Sequence, residues 1–400
     1  MVLRFVSGNE AVAYAVKLCR PEVISAIAIT PASAICERLV SLIASGELKA
    51  KFIEAEGEHS VMSVLQGASL AGCRTFTATS GNGLSFMNDV VYSVPNMRLP
   101  IVMTICNRPL QAGAFSFRAD YSDSMSVRDS GWIQLYVENN QEAADTIIQA
   151  YKIAEDERIL LPVMMVIDGW FLSYLSEPVD FPEQDKVDDF LPPFELKHMS
   201  FDPEKALYTG LSMELFLMES RLVYNNLMEQ AKDVIKEVGK EYGRRFGREY
   251  GLIDTYMCED AELVLVTMGS TSGTAKAAVD KERARGIPVG VVKVRSFRPF
   301  PREELIKLSE NAKALVTIDR SLSYGASGPG QLFDEVRSAL YDLEKRPMLM
   351  EAFAGLGGAE VPEERLVDLI EETWNAYVSG RRLNRPIWVG FFDGSRNVIM

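Results

Sequence analysis

Short apolar runs of strand length alternate with longer segments in which apolar residues recur at helical spacing. A strand that is buried on both faces reads as a continuous apolar run, so the runs predict strands of a parallel sheet and the spaced segments predict the helices between them. The predicted strands of the first half cover residues 23–29, 52–53, 73–79, 99–106, 133–137 and 160–167. About six strand–helix units before residue 170 predict a doubly wound parallel α/β sheet.

The same alternation returns after residue 261 and predicts a second α/β unit, with strands over 262–268, 289–294, 313–319 and 347–352. Between the two regions, residues 173–203 are rich in Pro, Asp and Ser, and we interpret them as a long excursion over the surface. Residues 203–251 carry helical spacing throughout and are predicted to connect the two units.

These patterns divide the chain into two domains and a tail. The first domain is predicted over residues 1–250 and the second over residues 255–375. The tail, residues 376–400, places Trp388 and Phe391 among polar residues, together with a second phenylalanine at 392. We expect this tail to pack on a neighbouring subunit.

Charge and hydropathy exclude two classes of partner. The formal net charge is −14, and nucleic-acid binding needs clustered Lys and Arg, so no nucleic acid is expected. No stretch reaches the roughly 18 apolar residues that a membrane helix needs, so no membrane is expected either. The first residues do not resemble a signal peptide, because the apolar run over 2–6 is short and contains Arg4.

The cysteines and histidines limit the chemistry. The 5 cysteines are dispersed and form no CxxC motif, which favours reduced thiols in a cytoplasmic protein over disulfides or a metal cluster. With only His59 and His198, neither a histidine zinc site nor a Ser-His-Asp triad is expected, and no metal ligand is assigned to this chain. If this protein performs redox chemistry, its electron carriers therefore lie elsewhere.

Polar residues follow several predicted strands of the first domain. Thr30 follows the strand over 23–29, Glu58 begins a helix, Ser80–Gly83 forms a glycine turn, and Arg108 follows the central strand over 99–106. Ligands of open α/β sheets bind at the carboxyl ends of the strands, so we expect these residues to share one edge. An arginine there is a natural partner for a carboxylate or phosphate.

Each of these residues also has a structural interpretation. Thr30 could only cap the following helix, which is expected to begin at Pro31. Glu58 could only stabilise a helix N-terminus, and Arg108 could form a salt bridge between subunits. In the second unit, the turn over 269–277 looks superficially like a phosphate loop but lacks the GxxxxGK[ST] spacing, which favours tight strand–helix packing there.

The sequence resembles the α subunit of the 2-oxoacid:ferredoxin oxidoreductases, of which pyruvate:ferredoxin oxidoreductase is the best-known member. The matching segments are GNEAVAYAVK (8–17), AITPAS (28–33), GEHSVMSVLQGASLAG (57–72), FTATSGNGL (76–84), NRPL (107–110), DSMSVRDSGWIQLYVENNQEA (123–143) and GSTSGTAKAAVD (269–280). The resemblance implies a pyrimidine-binding domain for thiamine diphosphate, followed by a domain like the carboxyl-terminal domain of transketolase.

The resemblance also implies a cofactor site shared between subunits. In such families the diphosphate and Mg²⁺ are held by a GDG motif followed by Asn, and here the sole candidate is Asp393-Gly394 with Asn397 close behind. A β subunit is therefore expected to supply the diphosphate and Mg²⁺ site. The resemblance further implies γ and δ subunits with [4Fe–4S] clusters, ferredoxin as electron acceptor, and coenzyme A as a possible acceptor of the acyl group.

The residue roles that the resemblance implies fall on the same edge. Glu58 matches the glutamate that activates thiamine diphosphate through N1′ of the aminopyrimidine, with the Ser80, Gly81, Asn82 and Gly83 turn beside the cofactor. Arg108 and Thr30 match substrate contacts: the arginine would bind the 2-oxoacid carboxylate, and the threonine would hydrogen-bond the keto or carboxylate oxygen.

One loop departs from the family's pattern, because Phe117 is bulky and Arg118 is charged where small or apolar residues are expected. One hypothesis is that Arg118 binds a second carboxylate, as in an oxalate-like substrate used without coenzyme A. The alternative is that Arg118 pairs with Asp120, Asp123 or another subunit. Function thus stays open between a pyruvate- or oxalate-type enzyme, a paralogue for aryl or branched 2-oxoacids, and a non-catalytic scaffold subunit.

Overall fold

The computed structural model describes residues 2–110, 116–196, 216–383 and 385–390. Its strands are β1 Val2–Ser7, β2 Val23–Ser25, β3 Lys51–Ile53, β4 Thr75–Thr79, β5 Val102–Asn107, β6 Ile133–Tyr136, β7 Val163–Asp168, β8 Ser176–Phe181, β9 Ile253–Tyr256, β10 Leu263–Thr267, β11 Val289–Val294, β12 Ser296–Arg298, β13 Ala314–Asp319, β14 Met348–Phe353 and β15 Ile387–Trp388. Its helices are α1 Gly8–Cys19, α2 Ser33–Ala44, α3 Glu58–Leu70, α4 Gly81–Phe86, α5 Asn88–Asn96, α6 Ser122–Ser126, α7 Asn140–Ala154, α8 Phe171–Tyr174, α9 Gln184–Phe190, α10 Leu217–Phe246, α11 Thr271–Ala284, α12 Arg302–Ser309, α13 Gln331–Leu340 and α14 Glu363–Val378, with a 3-10 turn at Leu356–Gly358. Phe391, Phe392, Asp393, Gly394, Asn397 and residues 114–115 and 203–215 lie outside the described residues.

The first sheet confirms the predicted α/β class. It has 7 strands in the order β12-β6-β7-β5-β4-β2-β3, and all neighbours pair in parallel except β12, which is antiparallel to β6. Strands β4, β5 and β7 are buried at every residue, as continuous apolar runs predict. One buried cluster contains apolar residues of α1 and α7, and another contains those of α3 and α5, so helices cover both faces of this sheet.

The second sheet has 6 strands in the order β15-β14-β13-β10-β11-β9 and is parallel except for β9. The two units share a core, since a single buried cluster contains side chains from α3, β7, β10 and β11. In addition, β12 lies within the second predicted domain but joins the sheet of the first. The two units are therefore packed together along a broad apolar boundary.

The interpretation of residues 173–203 as a surface excursion is wrong for its described part. This segment contains β8, which pairs antiparallel with β1, and α9, whose Val187 and Phe190 are fully buried. The alternation of β8 is short: its buried residues are Val179 and Phe181, with Asp180 between them and Pro178 just before them. The local sequence therefore does not predict the pairing of β8 with β1, which is distant in the chain.

Two further predictions differ in their details. Strand β2 ends at Ser25, so Thr30 lies beyond the strand in a turn, and α2 begins at Ser33 with Ala32 as its N-cap. Thr30 therefore does not cap α2. In the tail, Trp388 stacks on Phe353 of the same chain, with ring centroids 5.0 Å apart; packing of the tail on a neighbouring subunit stays a prediction. Among the described residues, no helix is long and apolar enough to cross a membrane.

Candidate active site

The carboxyl edge of the first sheet brings the predicted site residues together. The Thr30 carbonyl accepts hydrogen bonds from Ser80 Oγ at 3.0 Å and from Arg108 Nη1 at 2.8 Å. Three segments that follow β2, β4 and β5 are thereby joined at one point. Ser80 is the N-cap of α4, so the glycine turn leads directly from the end of β4 into a helix.

Glu58 reaches the same turn from α3. It is the first residue of that helix and is half-buried. A Cβ atom added to Gly83 would lie 2.6 Å from Glu58 Oε1 and 2.6 Å from Thr79 Oγ1, so only a glycine fits between these two oxygens. Within the described part of the chain, the Thr79 hydroxyl has no hydrogen-bond partner. A carboxylate and a hydroxyl therefore face one small space beside Gly83.

Arg108 occupies the other side of the turn. Gly81 has a φ of +48°, and a Cβ added there would overlap the Arg108 side chain. The arginine is 7% exposed. Burial lowers its pKa from the ordinary range, while the negative charges of Asp123 and Glu58 act in the opposite direction. The side chains of Arg108 and Glu58 are therefore close enough to interact electrostatically.

Asp123 is a site residue that the sequence suggested only as a possible partner of Arg118. Its side chain is fully buried, with Oδ2 accepting from the backbone N–H of Gly81 at 2.9 Å and of Arg108 at 3.0 Å. Oδ1 accepts from the Ser124 N–H at 2.7 Å and from the Asn107 side-chain amide. Burial raises the Asp123 pKa to about 7, although these N–H donors favour its ionised form.

Phe117 lies beside Arg108. Its ring stacks on Trp170 with centroids 6.5 Å apart and planes 19° apart, and Arg108 Cζ lies 5.9 Å from the Phe117 ring centroid. Arg118 points elsewhere, since its Nη1 lies 3.7 Å from Glu360 Oε1 of the second unit. The described partner of Arg118 is thus neither Asp120 nor Asp123, and both side chains of the pair are largely exposed.

A buried polar cluster fixes the second unit next to this edge. Asp168, the last residue of β7, accepts from Arg320 Nη1 at 2.7 Å, from Tyr121 OH at 3.0 Å, and from the N–H and hydroxyl of Ser270. The side chains of Asp168 and Arg320 are 1% and 4% exposed. Position 168 directly follows a predicted strand, and this signal could have identified it from the sequence.

A cleft of about 700 Å³ opens between the two units. Arg118, Trp170, Tyr174, Ser270 and Glu360 are among its lining residues. Glu58, Arg108 and Thr30 are not part of this lining. The cleft therefore lies outside the candidate site, although its lining residue Trp170 stacks on Phe117.

Two protein-family models match the chain. Residues 14–240 match the thiamine diphosphate-binding region of pyruvate flavodoxin/ferredoxin oxidoreductase, and residues 261–366 match core domain II of pyruvate:ferredoxin oxidoreductase. The first match alone covers more than half of the chain. The chain belongs to the pyruvate flavodoxin/ferredoxin oxidoreductase family. This finding confirms the resemblance, the thiamine diphosphate-binding class of the fold and the assignment as an oxidoreductase subunit.

Curated relatives support the same family over nearly the full length. The pyruvate synthase subunit PorA of Pyrococcus abyssi is 43% identical over 96% of each chain, and PorA of Methanothermobacter thermautotrophicus is 42% identical over 99% of this chain and 100% of that one. The ketoisovalerate oxidoreductase subunit VorA of Pyrococcus horikoshii is 42% identical over 96% of this chain and 97% of that one. All three are named as subunits, which indicates an enzyme of several subunits.

Solved structures show the same fold at lower identity. A 2-oxoglutarate:ferredoxin oxidoreductase from Magnetococcus marinus aligns with a TM-score of 0.72 at 20% identity, over 92% of this chain and 65% of that longer chain. A split-gene transketolase aligns with a TM-score of 0.52 at 14% identity, over 93% of this chain and 99% of that chain. At these identities the likeness concerns the fold alone, and it agrees with the expected transketolase-like architecture.

Proposed function

We propose that this chain supplies the pyrimidine-side half of a thiamine diphosphate site in a pyruvate:ferredoxin oxidoreductase. One observation carries the proposal. Glu58 and Arg108 converge on the two faces of the turn formed by Ser80, Gly81, Asn82 and Gly83, where the glycines leave room for both side chains. An acid for a cofactor ring and a cation for a substrate carboxylate are the two groups that this chemistry requires.

The residues present fit an aminopyrimidine. Gly83 keeps a small space open in front of Glu58 Oε1, and Thr79 Oγ1 has no partner among the described residues. A ring nitrogen could hydrogen-bond the Glu58 carboxyl group in that space. Glu58 is also the first residue of α3, so the helix-charge interpretation and the cofactor role are compatible.

Bound thiamine diphosphate would supply a carbon nucleophile for the 2-oxo carbon and an electron sink for decarboxylation. Glu58 would hold a proton between its carboxyl group and the pyrimidine. Arg108 would bind the substrate carboxylate until it leaves as CO₂, and its guanidinium is already oriented by the Thr30 carbonyl. The Thr30 hydroxyl would hydrogen-bond the keto or carboxylate oxygen of the substrate.

Other subunits would complete the reaction. A β subunit would carry the diphosphate and Mg²⁺ site, and γ and δ subunits would carry [4Fe–4S] clusters that pass electrons singly to ferredoxin. Coenzyme A would accept the acyl group, so that pyruvate and coenzyme A give acetyl-coenzyme A, CO₂, one proton and two electrons. Support for this assembly comes from the subunit names of the relatives and from the clustering of site residues at one open edge.

For the substrate we propose pyruvate, with 2-oxoisovalerate as the second candidate. A VorA relative at 42% identity is nearly as similar to this chain as the PorA relatives at 42% and 43%, which is the observation that favours a second candidate. Phe117 would limit the space beyond the carboxylate that Arg108 binds, which favours a short acyl group. Arg118 would orient the same loop through Glu360, and an exposed arginine paired in this way is a poor site for a second carboxylate.

The test is reduction of a low-potential dye by the native complex, purified through this chain. Pyruvate, oxalate, 2-oxoisovalerate and phenylglyoxylate would each be supplied with and without coenzyme A. We expect turnover of pyruvate that depends on coenzyme A. The Glu58→Gln variant should lose at least about 100-fold in turnover, because an amide cannot hold the proton that the pyrimidine needs.

Each other outcome redirects the assignment. Turnover of oxalate that falls in Arg118→Gln would give Arg118 the second carboxylate and exclude the pyruvate assignment. Faster turnover of 2-oxoisovalerate than of pyruvate would select the branched-chain function. A complex that carries thiamine diphosphate and iron–sulfur clusters but turns over none of the acids would support the scaffold interpretation.

A further inference from the structure

In the proposed function, Arg108 binds the substrate carboxylate. Its backbone lies just beyond the end of a strand, where the sheet no longer holds it in place. Asn107 is the last residue of β5, and Arg108 follows it outside the strand. The side-chain contacts described for Arg108 reach Thr30, Gly81 and Phe117, all on segments other than β5. The backbone at this position therefore needs its own anchor.

Asp123 provides that anchor from a different segment. It lies in α6, whereas its hydrogen-bond donors lie at the end of β5, at the start of α4 and in α6 itself. A single oxygen, Oδ2, accepts from both the Gly81 N–H and the Arg108 N–H. The distance between the glycine turn and the arginine backbone is thereby set by one carboxylate oxygen.

A neutral residue could not make all of these bonds. An asparagine has one acceptor oxygen and one donor amide, so its NH₂ group would face two N–H donors at one of the two oxygen positions. The side chain is fully buried, and water therefore cannot replace a lost partner.

We propose that Asp123 is a positioning residue for the proposed reaction, which fixes the backbone of Arg108 and of the Gly81 turn so that the guanidinium meets the substrate carboxylate. It does not contact substrate or cofactor. The inference rests on the proposed function, since it assigns the role of Asp123 through Arg108.

The test is a double-mutant cycle on the purified complex, with KM and kcat for the oxidised 2-oxoacid. Arg108→Gln is expected to raise KM strongly. Asp123→Asn should raise KM by about tenfold or more with a smaller change in kcat, as loss of a buried charge-assisted acceptor would cause. In the Arg108→Gln background, Asp123→Asn should change KM less than twofold, because Asp123 acts on KM through Arg108.

Asp145 offers a matched control. It is also fully buried and accepts from Tyr242, Tyr250 and Arg248, but it lies in α7, away from the site. Asp145→Asn should lower the melting temperature and leave KM unchanged. If Asp123→Asn fails to assemble, Asn107→Ala removes one of the donors to Asp123 and keeps the carboxylate; a smaller rise of KM that disappears in the Arg108→Gln background is then expected.

The two proposals fail in different ways. If Arg108→Gln leaves KM unchanged, the substrate role of Arg108 is excluded and the proposed function fails with it. If Arg108→Gln raises KM but Asp123→Asn lowers only thermal stability, or if the two effects on KM are additive, Asp123 is a structural residue and the positioning proposal is overturned.

Discussion

The carboxyl edges of the two sheets are built alike but differ in what satisfies their polar groups. At the first edge, Gly83 leaves space between Glu58 Oε1 and Thr79 Oγ1, and the latter has no partner among the described residues. At the second edge, Ser270 and Arg320 both bind Asp168 of the first unit. The first edge therefore presents a hydroxyl that has no partner among the described residues beside the Glu58 carboxyl group, whereas the polar groups of the second edge pair with the first unit.

The difference explains why similar turns have different uses. The turn after β10 resembles a phosphate loop in sequence, but the Tyr121 hydroxyl packs directly on Gly269 and the Ser270 N–H donates to Asp168. The groups that a phosphate would need are thus taken by the first unit. A small-residue turn at a strand end indicates a ligand site only where the surrounding segments leave space and a polar group beside the turn unoccupied.

The largest effect is expected at the first edge. Gly83→Ala would place a Cβ 2.6 Å from both Glu58 Oε1 and Thr79 Oγ1, so the carboxylate must move. A displacement of about 1 Å at a reacting group costs about 100-fold in rate, and we expect that loss in kcat of the complex. The melting temperature should stay close to that of the wild type, because the displaced groups line an open space.

Gly67→Ala is the matched control for this substitution. Gly67 lies in α3, the helix that begins with Glu58, and a Cβ there would meet nothing within 4 Å. Alanine in a helix interior is more favourable than glycine by up to about 1 kcal/mol, so activity should be retained and stability unchanged or higher. Equal loss of activity in both variants would remove the special role of the space beside Gly83.

At the second edge, the expected effect is on stability. Asp168→Asn would leave the Arg320 guanidinium buried without a carboxylate, and breaking a buried ion pair in this way costs about 3–5 kcal/mol. Denaturation of the complex by urea, followed through the tryptophan fluorescence, would measure the loss.

The Arg20–Asp188 pair is the control, because its atoms approach to 2.6 Å but its side chains are 62% and 39% exposed. Asp188→Asn should cost at most about 1 kcal/mol, since exposed pairs are screened by water. If Asp168→Asn and Asp188→Asn lost equal stability, the buried cluster of Asp168 and Arg320 would not stabilise the second edge. The proposed difference between the two edges would then be wrong.

The strands and the site edge could be predicted because their signals are local. A continuous apolar run identifies a buried strand, and a polar residue directly after it lies at the carboxyl edge, as for Arg108 after β5. The convergence of Glu58 and Arg108 follows from topology alone. What the sequence does not contain is the distance between them, which depends on the glycine turn.

The missed features depend on distant partners. Asp123 binds backbone N–H groups, which every non-proline residue has, so no sequence pattern marks its role. The partner of Arg118 is Glu360 from the second unit, although acidic residues lie within a few positions of that arginine. Likewise, β12 crosses the domain boundary and pairs antiparallel with β6 of the first sheet. A strand of three residues is too short for its sequence to predict this pairing.

The last effect that we predict concerns pH and the second edge. Asp319 at the end of β13 accepts from the N–H groups of Leu332 at 2.7 Å and Phe333 at 3.1 Å, in the first turn of α13. Burial raises its pKa to about 8, and the negative charges of Glu351 and Asp334 act in the same direction. The folded chain therefore keeps a proton at Asp319 over a pH range in which the unfolded chain has lost it.

The sign follows from this difference in proton binding. Stability that depends on Asp319 is complete below its ordinary pKa, near 3.8, and is lost progressively as the pH rises towards about 8. The melting temperature of the complex should thus fall between pH 5 and pH 8. In Asp319→Asn, which cannot titrate, the fall should be shallower. It should not vanish, because the pKa of Asp123 is also raised, to about 7. An unchanged slope in the variant would show that Asp319 does not contribute to the pH dependence of stability, and this prediction would be wrong.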